Sequence, residues 1–372
     1  MKKILFILKK RFYSNINVKS YGLINSSTHV ANFLDTLINV ETKVVTVVDA
    51  NGIDKEVHEY KPDIVIIEAL WVTGEKLKEL IELNKYKKIK WVVRIHSDIG
   101  YLSAETFALK YVNDYIALNK PNLFIAPNNK EFTEYLSNAM RYNFIYLPNV
   151  ITINHKKDDC EKRHNSNIIN IGCFGALRLL KNSAFQALCA IRAADILGKT
   201  LHFHVTLAKI DGYDDEHQIK LNPILKNLEE IFANSRHVLV KHEWKENKEF
   251  QHLVKKMDIG MQLSFSESFN IVTADFINNN KLMVVSNAID WMHEIFEAST
   301  TNYDNAVKKI IFVYKHRYSW MMKDLMHDSL NKYNRDAKKM WFDFIYAKNT
   351  KKCGLISLIK NKFKNNCKNI WN

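Results

Sequence analysis

The feature that most constrains this chain is a run of short, mostly apolar segments, with stretches of helical periodicity between them. In the first 150 residues these segments are Ile4–Leu8, Val44–Val48, Ile64–Ile67, Trp91–Ile95, Leu123–Ala126 and Phe144–Leu147. Runs that are apolar on both faces suit strands covered by helices on either side. Helical patterns over Glu75–Tyr86, Ser103–Leu118 and Lys130–Ala139 lie between them. That alternation predicts a parallel sheet joined by right-handed crossovers. The pattern then starts again, with strands predicted at Ile168–Phe174, Leu201–Leu207, His237–Lys241, Ile259–Leu263 and Leu282–Val285. Long helical patterns over Asn302–Leu330 and Tyr333–Ala347 close the chain.

Two series in 372 residues mean two domains rather than one. The first covers residues 1–150 and ends at Pro148-Asn149-Val150, and the second covers 168–330. Between them, residues 151–167 turn polar and charged and read as a linker, so the pair Asp158-Asp159 is discounted as a metal motif. No Asp-x-Asp motif occurs, and no metal is expected. The apolar run after Met1-Lys-Lys is too short for a signal peptide, and no run approaches membrane-spanning length. Five cysteines, an odd number without metal-ligand spacing, fit a reducing compartment, and a cytoplasmic location is expected. The net charge of +14 favours a polyanionic partner, nucleic acid or an anionic surface, although a general richness in Lys, Asn and Ile gives the same balance. The 348–372 tail carries seven Lys and no acid, interleaved with apolar residues. It reads as an amphipathic membrane-surface helix, as a phosphate-binding arm or as a plain basic terminus.

Ligands of parallel sheets bind beyond the carboxyl ends of the strands. In the first domain those ends carry Glu68, Trp71, His96 and Asp98, and Glu105 opens the next predicted helix. His96 either donates to a ligand hydroxyl or is a structural histidine. In the loop after the first strand, only Gly22 and the pair Ser26-Ser27 are candidates. In the second domain, Gly175 permits close backbone approach, and Arg178 and Lys181 stand just before a helix, where an anion needs neutralising. His202 and His204 share a strand face, but with no third ligand in view a half-exposed strand is the better reading. Trp244 follows the third strand of this domain, where it reads as a packing residue.

Met257–Asp275 carries the strongest signal. A strand breaks into the turn Ser264–Ser268, and helical periodicity resumes at Phe269. Ser266 or Glu267 is the expected cap, and the free amides of the helix start are a ready anion site. Glu267 sits in the turn and Asp275 eight residues on. A phosphate site flanked by two hydroxyl-accepting carboxylates suggests a nucleotide sugar.

This stretch resembles the E-x7-E signature of retaining GT-B glycosyltransferases, with Asp275 in place of the second Glu. The resemblance implies an α/β GT-B fold: two Rossmann-like parallel-sheet domains with a cleft between them, and a crossover helix, 331–347, anchored on the first domain by Trp341, Phe344 and Ile345. It implies His96 and Glu267 as catalytic residues and Asp98 and Glu105 on the acceptor side. Gly175, Arg178 and Lys181 become a diphosphate clamp, although the commoner pattern has Arg directly after Gly, where this chain has Ala176. The amides of Ser268, Phe269 and Asn270 fall near the diphosphate, Asp275 on the ribose and Trp244 near the base. No cofactor is implied beyond a nucleotide-sugar co-substrate, with UDP favoured. The segments Arg94–Ser97, Cys173–Arg178 and Ser264–Asp275 also look like those of virus-encoded glycosyltransferases that modify hydroxymethylpyrimidines in DNA. That implies double-stranded DNA as partner and, for a viral protein, the host cytoplasm. The rival readings are transfer to a surface or lipid-linked glycan, with the tail on the membrane, and a non-catalytic nucleotide- or DNA-binding protein.

Overall fold

The computed structural model describes residues 1–10, 22–105, 107–153, 167–207 and 222–346. Most of the 151–167 linker, the loop Asp211–Gln218, Lys209, Cys160, Cys353, Cys367 and the 348–372 tail lie outside the described residues.

The first sheet contains β1 (Lys2–Lys9), β2 (Val40–Val47), β3 (Ile64–Glu68), β4 (Lys90–Ile95) and β5 (Leu123–Pro127), all parallel, in the order β2-β1-β3-β4-β5. Its helices are α1 (Gly22–Leu34), α2 (Gly52–Tyr60), α3 (Gly74–Glu82), α4 (Ile99–Leu102), α5 (Ala108–Ala117) and α6 (Lys130–Met140). Ile4–Leu8 and Ile64–Ile67 are buried on both faces, which is why they carry no alternation. Side-chain caps start α3 and α6: Thr73 accepts from the Lys76 N–H and Asn129 from the Phe132 N–H.

Three expectations change here. The helix predicted over Ser103–Leu118 is shorter: α5 starts only at Ala108, the separate turn α4 ends at Leu102, and Glu105 lies in the bend between them instead of opening a helix. The helix α2, not anticipated, buries only Ile53 and Val57, too few for a visible period. Phe144–Leu147 is extended but not a strand. Ile145 and Leu147 donate to the Ile125 and Pro127 carbonyls, but the residue placed to return the bond to Ile145 is Pro127, which has no N–H.

The second sheet contains β6 (Ile168–Cys173), β7 (Thr200–Thr206), β8 (Val238–His242), β9 (Ile259–Gln262) and β10 (Met283–Val285), again parallel, in the order β10-β9-β6-β7-β8. Around it lie α7 (Ser183–Ile196), α8 (Pro223–Ala233), α9 (Asn247–Lys255), α10 (Ile271–Asn278), α11 (Tyr303–Lys315) and α12 (Trp320–Tyr346). Gly172 and Gly260 face each other across β6 and β9. A Cβ on Gly260 would come within 2.6 Å of the Phe276 ring, so these glycines let α10 lie close on the sheet. His204 is buried rather than half-exposed. Its Nδ1 lies 2.8 Å from His242 Nε2 and its Nε2 3.1 Å from Asn170 Oδ1. Among the described residues, no cluster of three or more His, Cys, Asp or Glu is placed to hold a metal.

The closing helix differs from expectation too. It runs unbroken through residues 330–333, and the interruption falls between Lys315 and Trp320 instead. Its first half packs Met322, Met326 and Leu330 into the second domain. Its second half packs Ala337, Trp341, Phe344 and Ile345 against Ile4 and Phe6 of the first. Midway it grips the chain where it passes between domains. Asn334 accepts from the Ile151 N–H at 2.9 Å and donates to the Ile151 carbonyl at 2.8 Å, and Trp341 Nε1 donates to the Pro148 carbonyl at 2.7 Å. Among the described residues, no helix is long and apolar enough to cross a membrane.

Candidate active site

Each sheet reverses its strand order beside its first strand, at β1/β3 in one domain and β6/β9 in the other. Such switch points open crevices at the carboxyl ends. Here the two crevices face each other across a cleft of about 570 Å³.

Behind the first-domain wall, Arg94 near the end of β4 is a fully buried cation. It donates to Glu68 Oε1 at 2.8 Å, to Asn149 Oδ1 at 2.8 Å and to the Leu147 carbonyl, with its guanidinium 5.2 Å from the Trp341 ring centre. The other Glu68 oxygen meets His96 Nε2. Burial pushes the Glu68 carboxyl up, but the Arg94 charge and the hydrogen bonds from His96 and Arg94 outweigh it and hold the group at about 2. Glu68 is therefore ionised. Burial lowers the His96 pKa against the pull of Glu68, so the ring is neutral at pH 7. An ionised Glu68 only accepts, which assigns the ring hydrogen to Nε2 and leaves Nδ1 as an acceptor. The sequence reading left His96 as a donor to a ligand hydroxyl or as a structural histidine. With Nε2 on Glu68, the nitrogen left over is an acceptor.

On the second-domain wall, Gly175 lies two residues past the end of β6 at φ 117°, a conformation that favours glycine, and a Cβ built there would meet nothing within 4 Å. Across from it, Lys181 Nζ lies 2.5 Å from Glu267 Oε1. The same oxygen accepts from Asn270 Nδ2 at 2.9 Å. Asn270 is the true cap of α10. At φ 64°, its Oδ1 accepts from the Thr273 N–H and hydroxyl, and its amide also donates to Gln262. So neither Ser266 nor Glu267 caps the helix, and the helix starts at Ile271, not Phe269. The Phe269 ring is buried between Trp291 and Tyr333, with centroids 5.3 and 4.9 Å away. Only its backbone is left to serve a ligand.

Asp275 lies one step further along, in a smaller recess of about 80 Å³ shared with Trp244, Thr206 and Asn25. Burial raises its pKa to about 7, opposed by a hydrogen bond from Gln251 at 2.7 Å. Gly175, Arg178, Lys181, Trp244, Glu267, Ser268, Phe269, Asn270, His96 and Glu105 all line the main cleft. Asp98 does not. Its carboxylate accepts from Ser266 Oγ at 2.8 Å, across the seam between the domains. Beside it, Ser268 Oγ donates to the His96 carbonyl at 2.6 Å.

Sequence reasoning missed Arg94 and Tyr101. Arg94 had a signal, a charge within the apolar run Trp91–Ile95, since buried charges survive only when paired. Tyr101 had none. It lines the cleft from α4, with Arg178 5.7 Å from its ring centre.

The chain matches no family model and no curated protein sequence. It does resemble solved structures. Sucrose-phosphate synthase from Thermosynechococcus elongatus superposes with a TM-score of 0.64 at 10% identity, over 93% of this chain and 98% of that one. The UDP-forming α,α-trehalose-phosphate synthase from Burkholderia vietnamiensis gives 0.61 at 10% identity, over 93% and 99%. The apo lipopolysaccharide outer core galactosyltransferase WaaB gives 0.57 at 12% identity, over 93% and 99%. At these identities the likeness is one of fold. The chain has the α/β GT-B architecture, with two five-stranded parallel sheets.

Proposed function

We propose that this chain is a retaining glycosyltransferase that takes a sugar from a nucleotide sugar, with UDP as the favoured nucleotide. The observation that carries the reading is the convergence at the start of α10: Glu267 against Lys181, with Arg178 and Gly175 lining the same cleft. A diphosphate at this point meets two cations and the first-turn amides that the Asn270 cap leaves open, which stabilise the charge that grows as it leaves. Glu267 holds hydroxyls of the transferred sugar, and its Oε2, which has no partner among the described residues, faces that task. His96, oriented by Glu68, accepts a hydroxyl hydrogen through Nδ1. Asp275 and Trp244 take the ribose and base in the smaller recess, and Glu105 lies on the acceptor side.

The acceptor reading is a hydroxymethylpyrimidine in duplex DNA, supported by the +14 charge and by the likeness of three sequence segments to virus-encoded enzymes. A second reading is a glycan or sugar phosphate, favoured because the solved structures of this fold reported above are named for such products. One experiment separates them. The protein is incubated with UDP-sugars and DNA containing hydroxymethylcytosine, hydroxymethyluracil or ordinary bases, and the digested nucleosides are weighed. A sugar-sized mass gain on one modified base is the expected result. UDP release without that gain removes DNA as acceptor. No release from any nucleotide sugar removes the enzyme reading.

A further inference from the structure

Two buried hydroxyls in the cleft wall have no hydrogen-bond partner among the described residues: Ser26 Oγ on α1 and Tyr101 Oη on α4. A buried hydroxyl without a partner is costly to keep, so such groups call for a reason. For Tyr101 the surroundings supply one. The helix α4 is a single turn pinned to the second domain. Asp98 at its start accepts from Ser266, and a Cβ on Gly100 would come within 3.0 Å of Ser266 and 3.3 Å of Leu180. That docking carries a first-domain phenol into the second-domain machinery. Arg178 lies over the ring, and the Glu267 carboxylate is near enough to act on the phenol electrostatically. Burial, with Glu267 adding to it, pushes the phenol pKa upward, so the hydroxyl keeps its hydrogen at any physiological pH.

We propose that Tyr101 Oη hydrogen-bonds the transferred sugar, as a second contact facing Glu267 from the opposite domain. The inference rests on the donor reading above and adds a sugar-recognition residue to it. A phenol both donates and accepts, so it matches a sugar hydroxyl, whereas the diphosphate already has Arg178, Lys181 and the helix start. Because the bond joins the first domain to a sugar held by the second, Tyr101 reads the sugar only when the cleft is closed.

The test is Tyr101→Phe, which keeps the ring under Arg178 and removes only the hydroxyl. Three quantities are measured on wild type and variant: thermal midpoint, affinity for UDP alone, and kcat/KM for UDP release from UDP-glucose, UDP-galactose and UDP-N-acetylglucosamine. The expected result is an unchanged or higher midpoint, unchanged UDP affinity, and a loss of about 10–100-fold in kcat/KM for the preferred donor. A variant with full kcat/KM overturns the proposal. So does one that loses UDP affinity as much as turnover, which places the hydroxyl on the diphosphate, or one whose midpoint drops by several degrees, which makes it structural. A wild type that neither binds UDP nor turns over any of these donors overturns the donor reading, and this proposal with it.

Discussion

At the scale of single residues, the site joins groups whose environments push in opposite directions. Glu68 is held at about 2, below an ordinary glutamate, so its contribution to stability is complete above about pH 4.5 and is lost as pH falls from there towards 2. Asp275 is the reverse. Its folded-state pKa of about 7 lies above the unfolded value of 3.8, so the native state holds the extra proton between these limits and stability falls as pH rises through them. Asp275→Asn removes that cost, and the new amide oxygen still accepts from Gln251. Urea unfolding at pH 8 should show the variant more stable by up to about 4 kcal/mol, with little difference at pH 4. Equal effects at both values would mean that Asp275 is not the source. In the same spirit, Glu267→Gln should cut turnover by at least ~100-fold and leave a cooperative unfolding transition, since Asn270 and the Gln262 network still shape the turn. Full activity would take the central carboxylate out of the mechanism.

At the scale of elements, the sequence was legible wherever burial wrote a period. Strands buried on both faces gave unbroken apolar runs, and the helices between them showed their stripes, so both sheets followed from patterning alone. What failed has particular causes. Pro127 cancelled the sixth strand by withholding one N–H. Asn270 displaced the expected caps because its own left-handed backbone starts α10, a geometry that residue type permits but does not announce. The polarity of His96 depends on Glu68, a partner 28 positions away. Tyr101 became visible only once α4 was seen docked on Ser266. The helix α10 itself is placed by two strand glycines. Gly260→Ala should cost ~2 kcal/mol, because the new methyl must displace Met283 Sδ, 2.1 Å from its position, and the buried Phe276 ring. Since Phe276 sits in the helix whose start faces the cleft, the same change should weaken UDP binding as well. A destabilised protein with intact affinity would show that the helix tilts about its first turn instead of moving with it.

At the scale of the molecule, two domains that share a long closing helix need a way to open for substrate. The chain passes between them at Pro148–Ile151, held by Asn334 and Trp341 of α12. The seam on the other side is held differently. Among the described hydroxyl contacts there, Ser266 donates to Asp98 and Ser268 to the His96 carbonyl. Both bonds reach the loop that follows β4, and in an open cleft water would replace them. Each contributes about 1 kcal/mol net, so together they favour the closed form by ~2 kcal/mol, about 30-fold. Replacing both serines with Ala should therefore raise the radius of gyration in solution scattering without ligand. Adding a nucleotide sugar should restore the compact value, because a bound sugar links Glu267 to the first domain independently of the serines. The apparent affinity should fall by the fraction of molecules no longer closed, while UDP, held by the second domain, should bind almost as before. Scattering curves that superpose with and without the serines would show that α12 alone sets the domain angle, and that the two hydroxyls only fill a seam already closed.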